Sequence, residues 1–460
     1  MFGFDQSNFG NVQGFTDFKH HWCELGGYGD AETCGPDAEQ NGPWQQNFVR
    51  WGGSLITFGA ALGGLLLGPI VASHFGRRPC ISSGGLTCLL GCLLSSYLSV
   101  GSVACFMIGR FLTGFGIGVC CYALPIYSSE IATTSVRGTM GSLFQVFGVL
   151  GNFTASLITM AFQDWKFGML LPGIAGALVA LAIWFTPESP RYVMSRKGLK
   201  EGQGVLQKVR VGDVGDEAKA IHDEIMLEGS IGQVPFASLF TEPGLRKRVF
   251  VACWLQISQQ LTGVNAFLFY AVTFFNDLGV SNPFVANTAF QAVMLFGVVL
   301  GTWLMDSTWG GRRIQLLGAT FLMGPALLIG GFAMAYDWPG VVALIMVLVY
   351  AFGFQAAWGA IPWVYPSEIF SMAEKERAIS LSVFFQYGAN AVIAVVTPTL
   401  LQWSTAGTLF LFAALNIINI AFVLTFIKET KGVPLEQIPA LFGSVRKENG
   451  DGKCTGKQLA

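Results

Sequence analysis

The sequence predicts an all-α integral membrane protein whose twelve spanning helices form two six-helix bundles. Three observations lead there. The 460 residues are 52% apolar and only 12% charged, against about 25% charged in soluble domains. Stretches free of Asp, Glu, Lys and Arg recur along the chain, long enough to cross a bilayer, which takes ~20 helical residues. One hydrophilic segment, 187–248, divides them into two sets, as in membrane bundles built from a repeated half.

In the first half the charge-free runs lie near 51–73, 79–109, 111–129, 138–163 and 167–186. The second and third hold two helices that turn near Gly101, with Arg110 inside the latter. In the second half they lie near 249–276, 278–305, 314–336, 338–367 and 378–427; the last is 50 residues long and holds two helices that turn near Gln402. That makes eleven spans, and residues 1–18 read as what remains of a first. Only four residues precede Asp5, so the roughly ten needed to cross the inner leaflet are expected upstream, in a truncated gene start. The expected organisation is a bundle over 1–186, a cytoplasmic loop with short amphipathic helices over 187–248, a bundle over 249–427 and a cytoplasmic tail over 428–460.

Basic residues fix the orientation. With alternating spans, Arg77–Arg78, Arg137, Arg191–Lys219, Arg246–Arg248, Arg312–Arg313, Lys375–Arg377 and Lys428–Lys431 fall on one side, and only Lys19, Arg50 and Lys166 on the other. Both termini and the central loop are therefore expected in the cytoplasm. A net charge of −1 argues against a nucleic-acid partner. Of ten Cys, most lie in or beside spans, where Cys acts as a small apolar residue. Cys23 and Cys34 share the outward loop 17–46, where a disulfide or two free thiols fit better than a metal site. No catalytic or cofactor constellation is visible.

The most informative stretch is Gln259-Gln260-Leu261-Thr262-Gly263-Val264-Asn265, inside a run with no charge from Val249 to Asn276. Amides in hydrocarbon cost free energy unless hydrogen-bonded to protein, water or ligand. Gly263 weakens the helix and frees backbone groups to face a cavity. A neutral, hydroxyl-rich solute suits such amides, which both donate and accept.

The halves echo each other. Gly76-Arg77-Arg78 follows the second span of one and Gly311-Arg312-Arg313 the second span of the other. Pro125-Ile126-Tyr127-Ser128-Ser129-Glu130 closes the fourth span, as Val364-Tyr365-Pro366-Ser367-Glu368 closes the tenth. Basic residues follow each Glu, at Arg137 and at Lys375–Arg377. A cytoplasmic gate of Arg77, Glu130, Arg137, Arg312 and Glu368, whose ion pairs lock the halves, is expected.

These and further motifs resemble the sugar porter family of the major facilitator superfamily. The matching segments, in family order, are Phe2-Gly3-Phe4-Asp5, Gly109-Arg110-Phe111, Arg137-Gly138, Pro187-Glu188-Ser189-Pro190-Arg191, Gln259 to Asn265, Pro362-Trp363, Pro366-Ser367-Glu368 and Lys428-Glu429-Thr430-Lys431-Gly432. Trp358-Gly359 ahead of Pro362-Trp363 looks most like fungal members. The resemblance implies the major facilitator fold and a central cavity whose sugar contacts carry over to Gln145, Gln259, Gln260, Asn265, Trp363, Gln386 and Asn390. Chemistry agrees: Gln386 and Asn390 stand i,i+4 on one helix face, and Trp363 offers a flat apolar face to the C–H side of a sugar ring. A single amide would rather bridge helices, worth ~0.6 kcal/mol on average; so many together favour binding. Three positions depart. Met294 stands where an Asn is common in span eight, with Asn287 one register too early to replace it; Tyr387 stands for a common Trp, and Phe269 for a frequent Tyr.

Asp5 matches the position where proton-coupled members carry Asp, and Arg110 matches its partner. Burial disfavours a charged carboxyl and a nearby guanidinium favours it, so parting the two would switch proton uptake. The alternative is a helix cap at an exposed N-terminus. The expectation is a monomeric, alternating-access importer of a monosaccharide with a proton, in the plasma membrane. Alternatives are a passive sugar uniporter, a carrier of polyol, quinate or oligosaccharide, and a non-transporting sugar sensor, which the short tail disfavours.

Overall fold

The computed structural model describes residues 1–24, 27, 44–99, 101–133, 137–231, 236–277, 279–280, 282–307, 310–370, 372–431, 433 and 438–442, and all regular structure among them is helical. Nine helices are long and apolar enough to cross a membrane among these residues: Asn47–Phe75, Val103–Ile131, Thr139–Ala161, Trp165–Phe185, Pro283–Met305, Arg312–Ala335, Gly340–Ile369, Glu374–Trp403 and Thr405–Phe426. Three more complete the set. Span one is Phe2–Val12, span three Arg77–Ser95, and span seven Pro243–Leu261 continued by Val264–Phe269. The first is short, and the others carry too many charged or polar residues to read as apolar.

Close packing follows from small residues, as it must where lipid is as apolar as Leu. A methyl added at Gly114 of span four would lie 1.8 Å from the Ile56 carbonyl oxygen of span two, and one at Gly59 would lie 2.1 Å from that of Phe111. The halves meet where span two runs along span eleven and span five along span eight. Span one is wedged between them. It packs on spans five and six and on Val264–Phe269, and a methyl at its Gly10 would meet the Leu268 carbonyl oxygen at 2.6 Å.

Two spans are interrupted. Span seven breaks at Gly263, which sits at φ +94°, a left-handed conformation that costs other residues ~1–2 kcal/mol. Span ten widens over Phe354–Trp358 ahead of Pro362 and Pro366, which have no N–H to donate. Between the halves, Pro190–Lys197, Leu199–Leu206 and Gly215–Ile231 form short helices around Met194, Leu206, Val214 and Ala218. Cys23 is disulfide-bonded; Cys34 lies outside the described residues.

Candidate solute site

The breaks build the site. Without an N–H, Pro362 leaves the Trp358 carbonyl, one turn earlier, with no helical donor; Gln259 Nε2 donates to it at 2.5 Å and to Gly359 O at 3.2 Å. Pro366 likewise strands the Pro362 carbonyl, and Gln256 Nε2 donates to that at 3.0 Å. Gln256 and Gln259 lie on one face of span seven, so both prolines of span ten are answered by one helix. The side-chain Oε1 of Gln259 then accepts from Gln386 Nε2 of span eleven at 2.5 Å. Asn265 donates to Gln260 Oε1, and Gln6 Nε2 of span one donates to Asn265 Oδ1 at 3.4 Å.

Three of the expected contacts keep a buried oxygen without a protein partner: Gln145 Oε1, Gln386 Oε1 and Asn390 Oδ1. Solute hydroxyls could donate to such acceptors. A narrow void between the halves is lined by Asp5, Gln6, Ile117, Phe269, Tyr387 and Asn390, among others. Trp363 closes an aromatic wall, its ring 5.3 Å from Phe144 and 6.4 Å from both Phe2 and Tyr387. Substituting Gly263 by Ala is expected to destabilise this region by at least ~1–2 kcal/mol. The new methyl would also meet the Phe412 ring at 2.5–2.7 Å. A lowered melting temperature of the detergent-solubilised protein would register the change.

Asp5 is no exposed cap: it is 3% exposed, and Arg110 Nη1 of span four donates to its Oδ1 at 2.7 Å. Arg110 is held independently by Gly52 O at 2.8 Å and by the Phe9 ring, 4.5 Å from its guanidinium carbon.

At the opposite end of span four, Arg77 pairs with Glu130 at 2.8 Å, and Arg312 pairs with Glu368 at 2.7 Å. Each of these pairs closes within its own half. Contacts that cross are Arg77 to Glu376 at 2.5 Å and Lys375 Nζ to Ser129 Oγ at 3.0 Å. Glu188 accepts from the backbone N–H groups of Arg77 and Arg78, as Glu429 does from those of Arg312 and Arg313, so each Gly-Arg-Arg helix start is capped by a distant carboxylate. The Arg137 side chain lies outside the described residues.

Sequence reasoning missed a polar seam at the other end. Asn11 Nδ2 donates to Thr159 Oγ1 and Asn287 Nδ2 to Asn11 Oδ1, both at 2.8 Å, while Gln13 Nε2 donates to Phe269 O at 2.5 Å. Asn287 thus ties span eight to span one, and Met294 is fully buried.

Amides buried where two six-helix halves meet, with an ion pair in the first half beside them, are the marks of a membrane carrier for a small polar solute. Residues 1–442 match the family described as Sugar (and other) transporter. The chain belongs to this sugar porter family of the major facilitator superfamily, and is a sugar transporter rather than an enzyme. It is 28% identical to the probable glucose transporter rco-3 of Neurospora crassa, over 97% of this chain and 77% of that protein. To sugar transporter ERD6-like 16 of Arabidopsis thaliana it is 32% identical, over 84% of this chain and 81% of that one. Its fold is similar to that of the proton:xylose symporter XylE from E. coli, with a TM-score of 0.79 and 21% identity over 96% of this chain and 98% of that one.

Proposed function

We propose that the chain imports a monosaccharide, a hexose or pentose, together with a proton. It works by alternating access, as a monomer in the plasma membrane, with both termini, 187–248 and 428–460 in the cytoplasm. The observation that carries this reading is the Asp5–Arg110 pair at 2.7 Å, because Asp5 shares the wall of one void with Gln6, Tyr387 and Asn390. An acid buried in a membrane helix is rare and costly, and here it shares the void with Asn390, whose unpartnered Oδ1 a sugar hydroxyl would satisfy. Gln145, Gln386 and Asn390 offer free oxygens, Gln259, Gln260 and Asn265 hold the framework, and Trp363 covers the ring face. The basic residues beside Arg77 and Arg312 support the orientation. Glucose and xylose in the names of the relatives above support the solute class.

Uptake of labelled hexoses and pentoses in transport-deficient cells, with and without a proton uncoupler, tests the reading. Accumulation against a gradient is expected, and its collapse with the uncoupler. Accumulation that persists would overturn the proton coupling; no uptake of any sugar would overturn the solute class.

A further inference from the structure

Tyr387 occupies span eleven between Gln386 and Asn390, and its ring lines the void. The ring is 2% exposed and stands edge-on to Phe2, with centroids 6.2 Å apart and planes at 90°. Its hydroxyl donates to Cys121 Sγ at 3.0 Å. A phenol sealed in apolar surroundings needs such a partner, and a thiol is a weak one. Cys121 lies on span four, one helical turn from Ile117, which lines the same void. The bond therefore runs from one half to the other. It lies between the void and the Glu130 end of span four, so a movement that parts the halves at that end breaks it.

We propose that Cys121 is a positioning residue: its thiol holds the Tyr387 ring across the base of the sugar site while the halves are closed at that end. Sugar affinity then depends on a side chain that reaches the solute only through Tyr387. The proposal rests on the sugar reading above.

The test is equilibrium exchange of labelled D-glucose and D-xylose by the full chain in proteoliposomes, which needs no proton gradient. Cys121→Ala and Tyr387→Phe are each expected to raise KM by about threefold to tenfold, the worth of one buried hydrogen bond, with maximal rate held within about twofold. The double variant should match either single one, because the two side chains act through one contact. Cys121→Ser, which keeps an acceptor, should retain the wild-type KM. Effects that multiply in the double variant would overturn the positioning role, as would a wild-type KM for Tyr387→Phe, the variant that removes only one atom. No exchange of either sugar by the wild type would overturn the sugar reading, and this role with it.

Discussion

Asp5→Asn is expected to abolish uphill accumulation of sugar while leaving exchange of sugar across the membrane intact. One proton crossing 100 mV carries ~2.3 kcal/mol, enough for roughly fiftyfold accumulation; in the variant the ratio of internal to external sugar should fall to unity. The amide keeps the shape of the carboxyl and can still accept from Arg110, but it cannot take up and release a proton. Removing one charge of a buried pair commonly costs ~3–5 kcal/mol. Arg110 retains Gly52 O at 2.8 Å and the Phe9 ring, so the fold has other means to hold the guanidinium. The amount of protein at the membrane must be measured alongside, because loss of both accumulation and exchange would indicate misfolding. Acid-driven accumulation unchanged in the variant, at equal amounts, would rule out Asp5 as the coupling group.

The spans were legible because hydrocarbon imposes a length and a lack of charge that single-chain reading detects directly. Span seven was legible in a second way, since amides around Gly263 made both its break and its polar face visible. The break in span ten left only Pro362 and Pro366 as signals. That their stranded carbonyls would be met by Gln256 and Gln259 depends on the register between two helices, which spacing within a segment does not encode. The same limit hid the seam of Asn11, Thr159 and Asn287. Each is a polar residue in an apolar run, but only the wedged position of span one brings them together.

The gate shows a further limit. Duplication pointed to Glu130 and Glu368, and repeated motifs describe what each half does alone. Among the described residues, the ion pair from half to half falls instead on Glu376, which nothing in its charged segment marks out, while its neighbour Lys375, from the expected basic run, reaches Ser129. The Glu376 carboxylate reaches Arg77, at the start of span three, just past the end of span two at Phe75.

Gln259→Leu is expected to weaken sugar affinity far more than Gln256→Leu, although both glutamines answer a proline of span ten. Gln256 Nε2 donates to Pro362 O, and its side-chain Oε1 has no protein partner. Replacing it strands one backbone acceptor, at a cost of ~1–3 kcal/mol in stability, and leaves the amides facing the void where they are. Gln259 instead joins the Trp358 and Gly359 carbonyls to the Gln386 amide. Leucine there would strand the carbonyls and release Gln386, one of the proposed sugar contacts, whose Oε1 has no protein partner. With as many as three buried groups left unpaired, KM should rise by roughly tenfold to hundredfold. Gln259→Leu should therefore lower the melting temperature more than Gln256→Leu, and only Gln259→Leu should change KM. An unchanged KM in Gln259→Leu would mean that its amide braces the break in span ten and does nothing for the sugar.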